Sequence, residues 1–118
     1  MRRVFLALAI LAGLSARADA HAFLQSAVPR VGSSASAVSE LRLTFTEPLE
    51  AAFSTVILSR SDGAPMIAPK AQVDQHDAKV LMVKLPQPLA PGRYKVEWRV
   101  MSVDTHHTRG SYQFTVAP

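Results

Sequence analysis

The C-terminal half of this chain alternates, and that alternation restricts it to one fold class. Tyr94, Val96, Trp98 and Val100 are separated by Lys95, Glu97 and Arg99, and Tyr112, Phe114 and Val116 by Gln113 and Thr115. Leu41, Leu43 and Phe45 alternate in the same way with Arg42, Thr44 and Thr46. A period of two puts successive side chains on opposite faces, so each stretch is expected to be a strand with one face on a core and one in water. Val80, Met82 and Leu85 mark a further strand with a break of phase near Val83 and Lys84, and the more uniformly apolar residues 53–59 are expected to form a central strand. Pro29, Gly32, Pro48, Asp62-Gly63, Pro86, Pro88 and Pro91-Gly92 punctuate these stretches. Residues 50–53 suit a single helical turn, and the Ser/Ala-rich residues 32–39 a loop between the first two strands. Six or seven short strands at this spacing predict an all-β, antiparallel Greek-key sandwich or barrel. Trp98, with apolar neighbours at i±2, belongs to its core, as do Met82 and Met101.

The N-terminus follows a different grammar. Arg2 and Arg3 precede an apolar run over residues 4–14, and Ala18-Asp19-Ala20 has the small-x-small form of a cleavage site. This is the pattern of a secretory signal peptide, with residues 1–20 removed and a mature domain over 21–118. Removing 20 of 118 residues leaves 98, enough for one small domain. The chain has no cysteine, so that domain folds without disulfides, although an exported compartment would permit them. The signal carries a net +2, from three arginines and Asp19, so the mature part keeps +2 of the chain's +4. A charge that mild, on scattered basic residues, gives no reason to expect nucleic acid. The apolar run is too short to span a membrane, and no membrane insertion of the mature chain is expected.

Cleavage after Ala20 makes His21 the first residue. A terminal histidine offers two nitrogens, its free α-amine and its imidazole, which together chelate one metal ion. An internal histidine cannot do this, because its backbone nitrogen is an amide. The strongest local signal elsewhere is Asp104-Thr105-His106, between the Trp98 and Tyr112 strands. Two residues apart in an extended chain, Asp104 and His106 project to one side, while His107 points to the other. Each signal has a plainer reading. An Asp-x-His in a hairpin loop is more often a turn, with the carboxylate accepting backbone hydrogen bonds, and many exported chains start arbitrarily. Together the two supply three nitrogens and one oxygen, a set suited to tetragonal Cu(II). Zinc prefers a tetrahedral site, often with thiolate, and calcium or magnesium more oxygens. His76, in the polar stretch 74–77, reads as a solvated loop residue.

The chain resembles the CopC family of copper-binding proteins. The matching segments are His21-Ala22-Phe23-Leu24-Gln25-Ser26-Ala27-Val28-Pro29, Leu41-Arg42-Leu43-Thr44-Phe45-Thr46-Glu47-Pro48-Leu49-Glu50, Pro91-Gly92-Arg93-Tyr94-Lys95-Val96-Glu97-Trp98, Ser102-Val103-Asp104-Thr105-His106 and Gly110-Ser111-Tyr112-Gln113-Phe114-Thr115-Val116. The resemblance implies a cupredoxin-like or immunoglobulin-like fold and a Cu(II) site made by His21, Asp104 and His106, with Glu47 as a weak or outer ligand. It also implies a periplasmic location, a non-enzymatic role as copper carrier or buffer in copper resistance, and an inner-membrane partner of the CopD type. Some members add a methionine-rich loop for Cu(I); here Met66, Met82 and Met101 are far apart, and a dedicated Cu(I) site is not expected. Copper on an N-terminal histidine also resembles lytic polysaccharide monooxygenases. Asp104 in the metal plane and the scarcity of spare aromatic residues weigh against that oxidative enzyme. A metal-free scaffolding sandwich is the third reading, and the joint presence of His21 and Asp104-x-His106 argues against it.

Overall fold

The structure, a computed structural model, describes residues 22–64, 66 and 70–118. Eight strands are formed: β1 (Leu24–Val28), β2 (Ser34–Ala35), β3 (Glu40–Phe45), β4 (Thr55–Arg60), β5 (Gln72–Val73), β6 (Val80–Lys84), β7 (Gly92–Met101) and β8 (His107–Val116). A single 3-10 turn, Ala51–Phe53, lies between β3 and β4, within the stretch expected to make one. The strands form two sheets, ordered β1-β3-β6-β5 and β2-β8-β7-β4. The chain passes from one sheet to the other at every step except the two hairpins, β5–β6 and β7–β8. The result is a β-sandwich of two open sheets, as the alternation predicts, and not a closed barrel.

Alternation is clearest where the strands are longest. Tyr94, Val96, Trp98 and Val100 of β7 and Tyr112, Phe114 and Val116 of β8 are all buried. Leu41, Leu43 and Phe45 of β3 face them from the other sheet with no exposed surface. Phe45 meets Trp98 edge-on across the core, with centroids 5.1 Å apart at 78°, and Tyr94 stacks on Phe114 at 5.6 Å. Each such aromatic pair adds about 0.5–1.5 kcal/mol beyond the area it buries. Trp98 pairs directly with Gly110 across the hairpin. A Cβ at position 110 would overlap the indole, so only glycine lets β8 pass this close.

Four expectations are corrected. Residues 53–59 do not form a central strand: β4 is the edge of its sheet, Leu58 is its one fully buried residue, and Phe53 and Ile57 are exposed. An apolar run alone cannot tell a doubly covered strand from an edge with a solvent face. In β6 the core-facing pair is Leu81 and Val83, not Met82 and Leu85, because Leu41 registers with Val83 and Leu43 with Leu81. Met82 is therefore half-buried rather than core, and its Sδ accepts from Arg42 at 2.9 Å. Residues 32–39 are not only a loop: they contain β2, which lies parallel to β8 (Ser34 with Thr115, Ala35 with Val116). Two residues are too few for a periodic signal.

Candidate metal centre

The β7–β8 hairpin closes through residues 102–106, and its hydrogen bonds shape the site. Ser102 is buried; its N–H donates to the His106 carbonyl at 3.0 Å, and the Thr105 N–H donates to the Ser102 carbonyl at 2.9 Å. Thr105 has φ of 72°, the left-handed region that a β-branched residue rarely enters. That residue reverses the chain between Asp104 and His106. The two side chains do meet, with Asp104 Oδ2 3.3 Å from His106 Nδ1. The route is a tight turn, not the extended geometry expected from their spacing. Two donors with bonds of about 2.0 Å to one metal, at a right angle, stand about 2.8 Å apart. The observed pair is a few tenths of an ångström from that separation. Asp104 and His106 are 42% and 50% exposed, so an ion reaches them without any part of the fold opening.

Ser102 is the residue of this turn whose side-chain role sequence reasoning missed. Its hydroxyl donates to Asp104 Oδ1. This hydrogen bond, with the His106 ring acting the same way and partial burial acting against it, holds the Asp104 carboxyl below the usual aspartate range. The available signal was a serine two residues ahead of an aspartate at a strand end, the position of a side chain that bonds a local turn.

Backbone contacts gather three more segments at this end. Pro48 and Leu49, just after Glu47, are tied to the hairpin tip: the Val103 N–H donates to the Pro48 carbonyl at 3.1 Å, and Leu49 bridges Ser102. Glu47 itself sits half-buried on the bend that follows β3. The Phe23 N–H donates to Thr46 Oγ1 at 3.0 Å, and the Thr46 N–H donates back to the Phe23 carbonyl at 2.9 Å. Ala22 is fully buried, and its carbonyl accepts from Thr108 Oγ1 at 2.5 Å. The first described residues are thus clasped between the end of β3 and the start of β8. His21 lies outside the described residues. Among the described residues, no three of His, Asp and Glu gather closely enough to hold a metal ion. The pair Asp104–His106 offers one oxygen and one nitrogen side by side.

The other histidines are placed elsewhere. His107 opens β8 opposite Met101 and is exposed, on the outer face of its sheet with Arg109 and Ser111. His76 is exposed in the loop between β5 and β6, where its N–H donates to Asp74 Oδ1 at 2.7 Å. Among the described residues, no helix is long and apolar enough to cross a membrane.

Comparison with known proteins agrees with this fold. Residues 24–117 match the CopC domain. Copper resistance protein C of Pseudomonas syringae pv. tomato is 36% identical over 108 residues, covering 87% of this chain and 86% of that protein. The crystal structure of PcoC, a methionine-rich copper resistance protein from Escherichia coli, superposes with a TM-score of 0.73 at 34% identity, over 82% of this chain and 99% of that one. The copper transport protein CutJ of Bacillus subtilis is 28% identical over 98 residues, which are 82% of this chain but 18% of CutJ. The chain belongs to the CopC family of copper resistance proteins.

Proposed function

We propose that the protein is an exported, periplasmic Cu(II) carrier or buffer, whose metal is held by the α-amine and imidazole of His21, the carboxylate of Asp104 and the imidazole of His106. Residues 1–20 are the signal peptide, and their removal creates the chelating amine. One observation carries this reading. Ala22 and Phe23 are fixed by Thr108 and Thr46 beside the Asp104–His106 turn. Residue 21 is one peptide bond, about 3.8 Å between Cα atoms, from that anchor. A chain starting there presents its terminus to the same end of the sandwich. Glu47, on the neighbouring bend, serves as a weak or outer ligand.

Hard nitrogen and oxygen donors favour Cu(II) over Cu(I), which wants thioether or thiolate. The three methionines beyond residue 21 make no sulfur cluster: Met101 is buried, Met82 faces Arg42, and Met66 packs against the core from the loop after β4. Four donors in a plane leave little room for oxygen, so the protein acts as a carrier and not as an enzyme. The likeness to one section of a copper transport protein supports a membrane copper transporter of the CopD type as the partner. The test is the mass and metal content of the protein recovered from the periplasm of cells grown with copper. The expected result is a chain starting at His21 with one copper per molecule. A chain retaining residues ahead of His21, carrying copper equally well, overturns the reading.

A further inference from the structure

On the outer face of the β4–β7–β8 sheet, Arg99 and Arg109 stand directly opposite each other in the β7–β8 register. Both are exposed, and like charges in that position repel. Among the described residues, neither has an acidic partner; the adjacent Glu97 is already paired with Lys95 at 3.0 Å. Both arginines line two shallow grooves. One, of about 360 Å³, runs over Thr55, Ile57, Glu97 and Ser111; the other, of about 350 Å³, runs past His107 and Thr108. Ile57, 53% exposed, adds an apolar rim to the first.

We propose that this face docks an acidic segment of a partner protein, whose carboxylates take the Arg99 and Arg109 guanidiniums while its chain lies along the grooves. A repelling pair is relieved by an anion set between its members, and the planar guanidinium fork fits a carboxylate in two-point contact. A lipid surface is the poorer match. Anionic membranes are held by clusters of about four to eight basic residues, whereas here two arginines share their groove with Glu97. The location gives the docking a purpose. Arg99 and Arg109 lie one alternation, about 7 Å, along the strands from Met101 and His107 at the mouth of the 102–106 turn. A protein seated on the arginines covers the His107 face of the hairpin and lies next to the turn that holds Asp104 and His106. That the partner gives or takes copper rests on the function proposed above; the docking itself does not.

The test uses the processed chain, 21–118, and a capped octapeptide of alternating aspartate and alanine, followed by amide chemical shifts. Inorganic phosphate, phosphatidylglycerol vesicles and the lysine analogue of the peptide are the comparison probes. The expected result is saturable shifts centred on residues 97–99 and 107–111 with the acidic peptide alone, weakened by salt. Arg99→Glu/Arg109→Glu should lose at least tenfold in peptide affinity and gain affinity for the lysine peptide. If that variant does not fold, Arg99→Gln/Arg109→Gln reads the same loss. Cu(II) affinity should stay within twofold in either variant, which separates this proposal from the metal site. Peptide binding unchanged in the variants, shifts spread over the whole surface, or binding of vesicles or phosphate in place of the peptide would overturn the docking surface. So would a parallel loss of Cu(II) affinity, which would assign the arginines to the copper site.

Discussion

Among the described residues the triplet Asp-x-His occurs twice, and the two copies do different things. In Asp74-Gln75-His76 the carboxylate is consumed by structure. Its Oδ1 accepts the His76 N–H at 2.7 Å, and its Oδ2 accepts Arg42 Nη2 at 2.8 Å, tying the loop to β3. These two donors hold the Asp74 carboxyl below the usual range. In Asp104-Thr105-His106 the carboxylate also takes the His106 N–H, but the Ser102 backbone and the left-handed Thr105 close the turn as well, and the carboxylate faces the imidazole. Both aspartates are ionised, yet only the second presents an oxygen and a ring nitrogen together. The triplet does not make a ligand pair. What differs is the side chain each carboxylate meets, an arginine at Asp74 and an imidazole at Asp104.

Removing the two histidines should give the widest contrast. His106→Ala takes away a nitrogen donor and should lower Cu(II) affinity roughly 100-fold or more. His76→Ala should leave it within twofold, and His107→Ala should behave like His76→Ala because His107 lies on the outer face of β8 with Arg109 and Ser111. Competition titration gives the affinities, and electron paramagnetic resonance the nitrogen couplings. Couplings kept in His106→Ala and lost in His107→Ala would reverse the assignment.

The aspartates should separate next. Asp104→Ala should cost Cu(II) affinity about 10- to 100-fold with the fold intact. Asp74→Ala should leave copper untouched and lower the thermal midpoint, since Arg42 loses its closest acidic partner. The pH dependence carries the same sign for both. A carboxyl whose pKa is depressed on folding contributes stability that is present above its unfolded value and lost as pH falls through the folded one. That loss belongs below the usual aspartate range. Copper, which competes with protons for nitrogen donors, should be released at higher pH, well before either aspartate is protonated. Copper release and acid unfolding that coincide in one titration would contradict this order.

Ser102→Ala should have the smallest of these effects. It removes the donor to Asp104 without touching a ligand, so affinity should fall only several-fold, to about tenfold at most. The Asp104 carboxyl should then titrate closer to its ordinary value, which carbon-detected NMR reads directly.

The legible and illegible parts of this sequence divide along the same hairpin. Its shaft was readable where Tyr94 to Val100 and Tyr112 to Val116 repeat one rule, polar out and apolar in, while residues 107–111 of β8 carry no such rule. Its tip was readable as a pair of chemical groups but not as a shape. The approach of Asp104 to His106 depends on the φ of Thr105 and on a buried serine hydroxyl, and neither has a period. The same limit explains β6, where four apolar residues in a row offer two phases and only the register with β3 chooses between them. It also explains β4, whose edge position is decided by the topology of its partners. Ala22 and Phe23 were quoted as part of a matching segment, yet their role as the anchor of the N-terminus shows only in the contacts that Thr108 and Thr46 make.

The central claim is that a free α-amine at His21 completes the site, and one measurement tests it most directly. The chain starting at His21 and a chain with a single glycine added before it should be titrated with Cu(II) against the same chelator at the same pH. The added residue converts the amine to an amide and changes nothing else in the fold. The account predicts a loss of affinity of at least about 100-fold and one fewer nitrogen coupling in the Cu(II) spectrum. Equal affinity and an unchanged spectrum in the extended chain would contradict it.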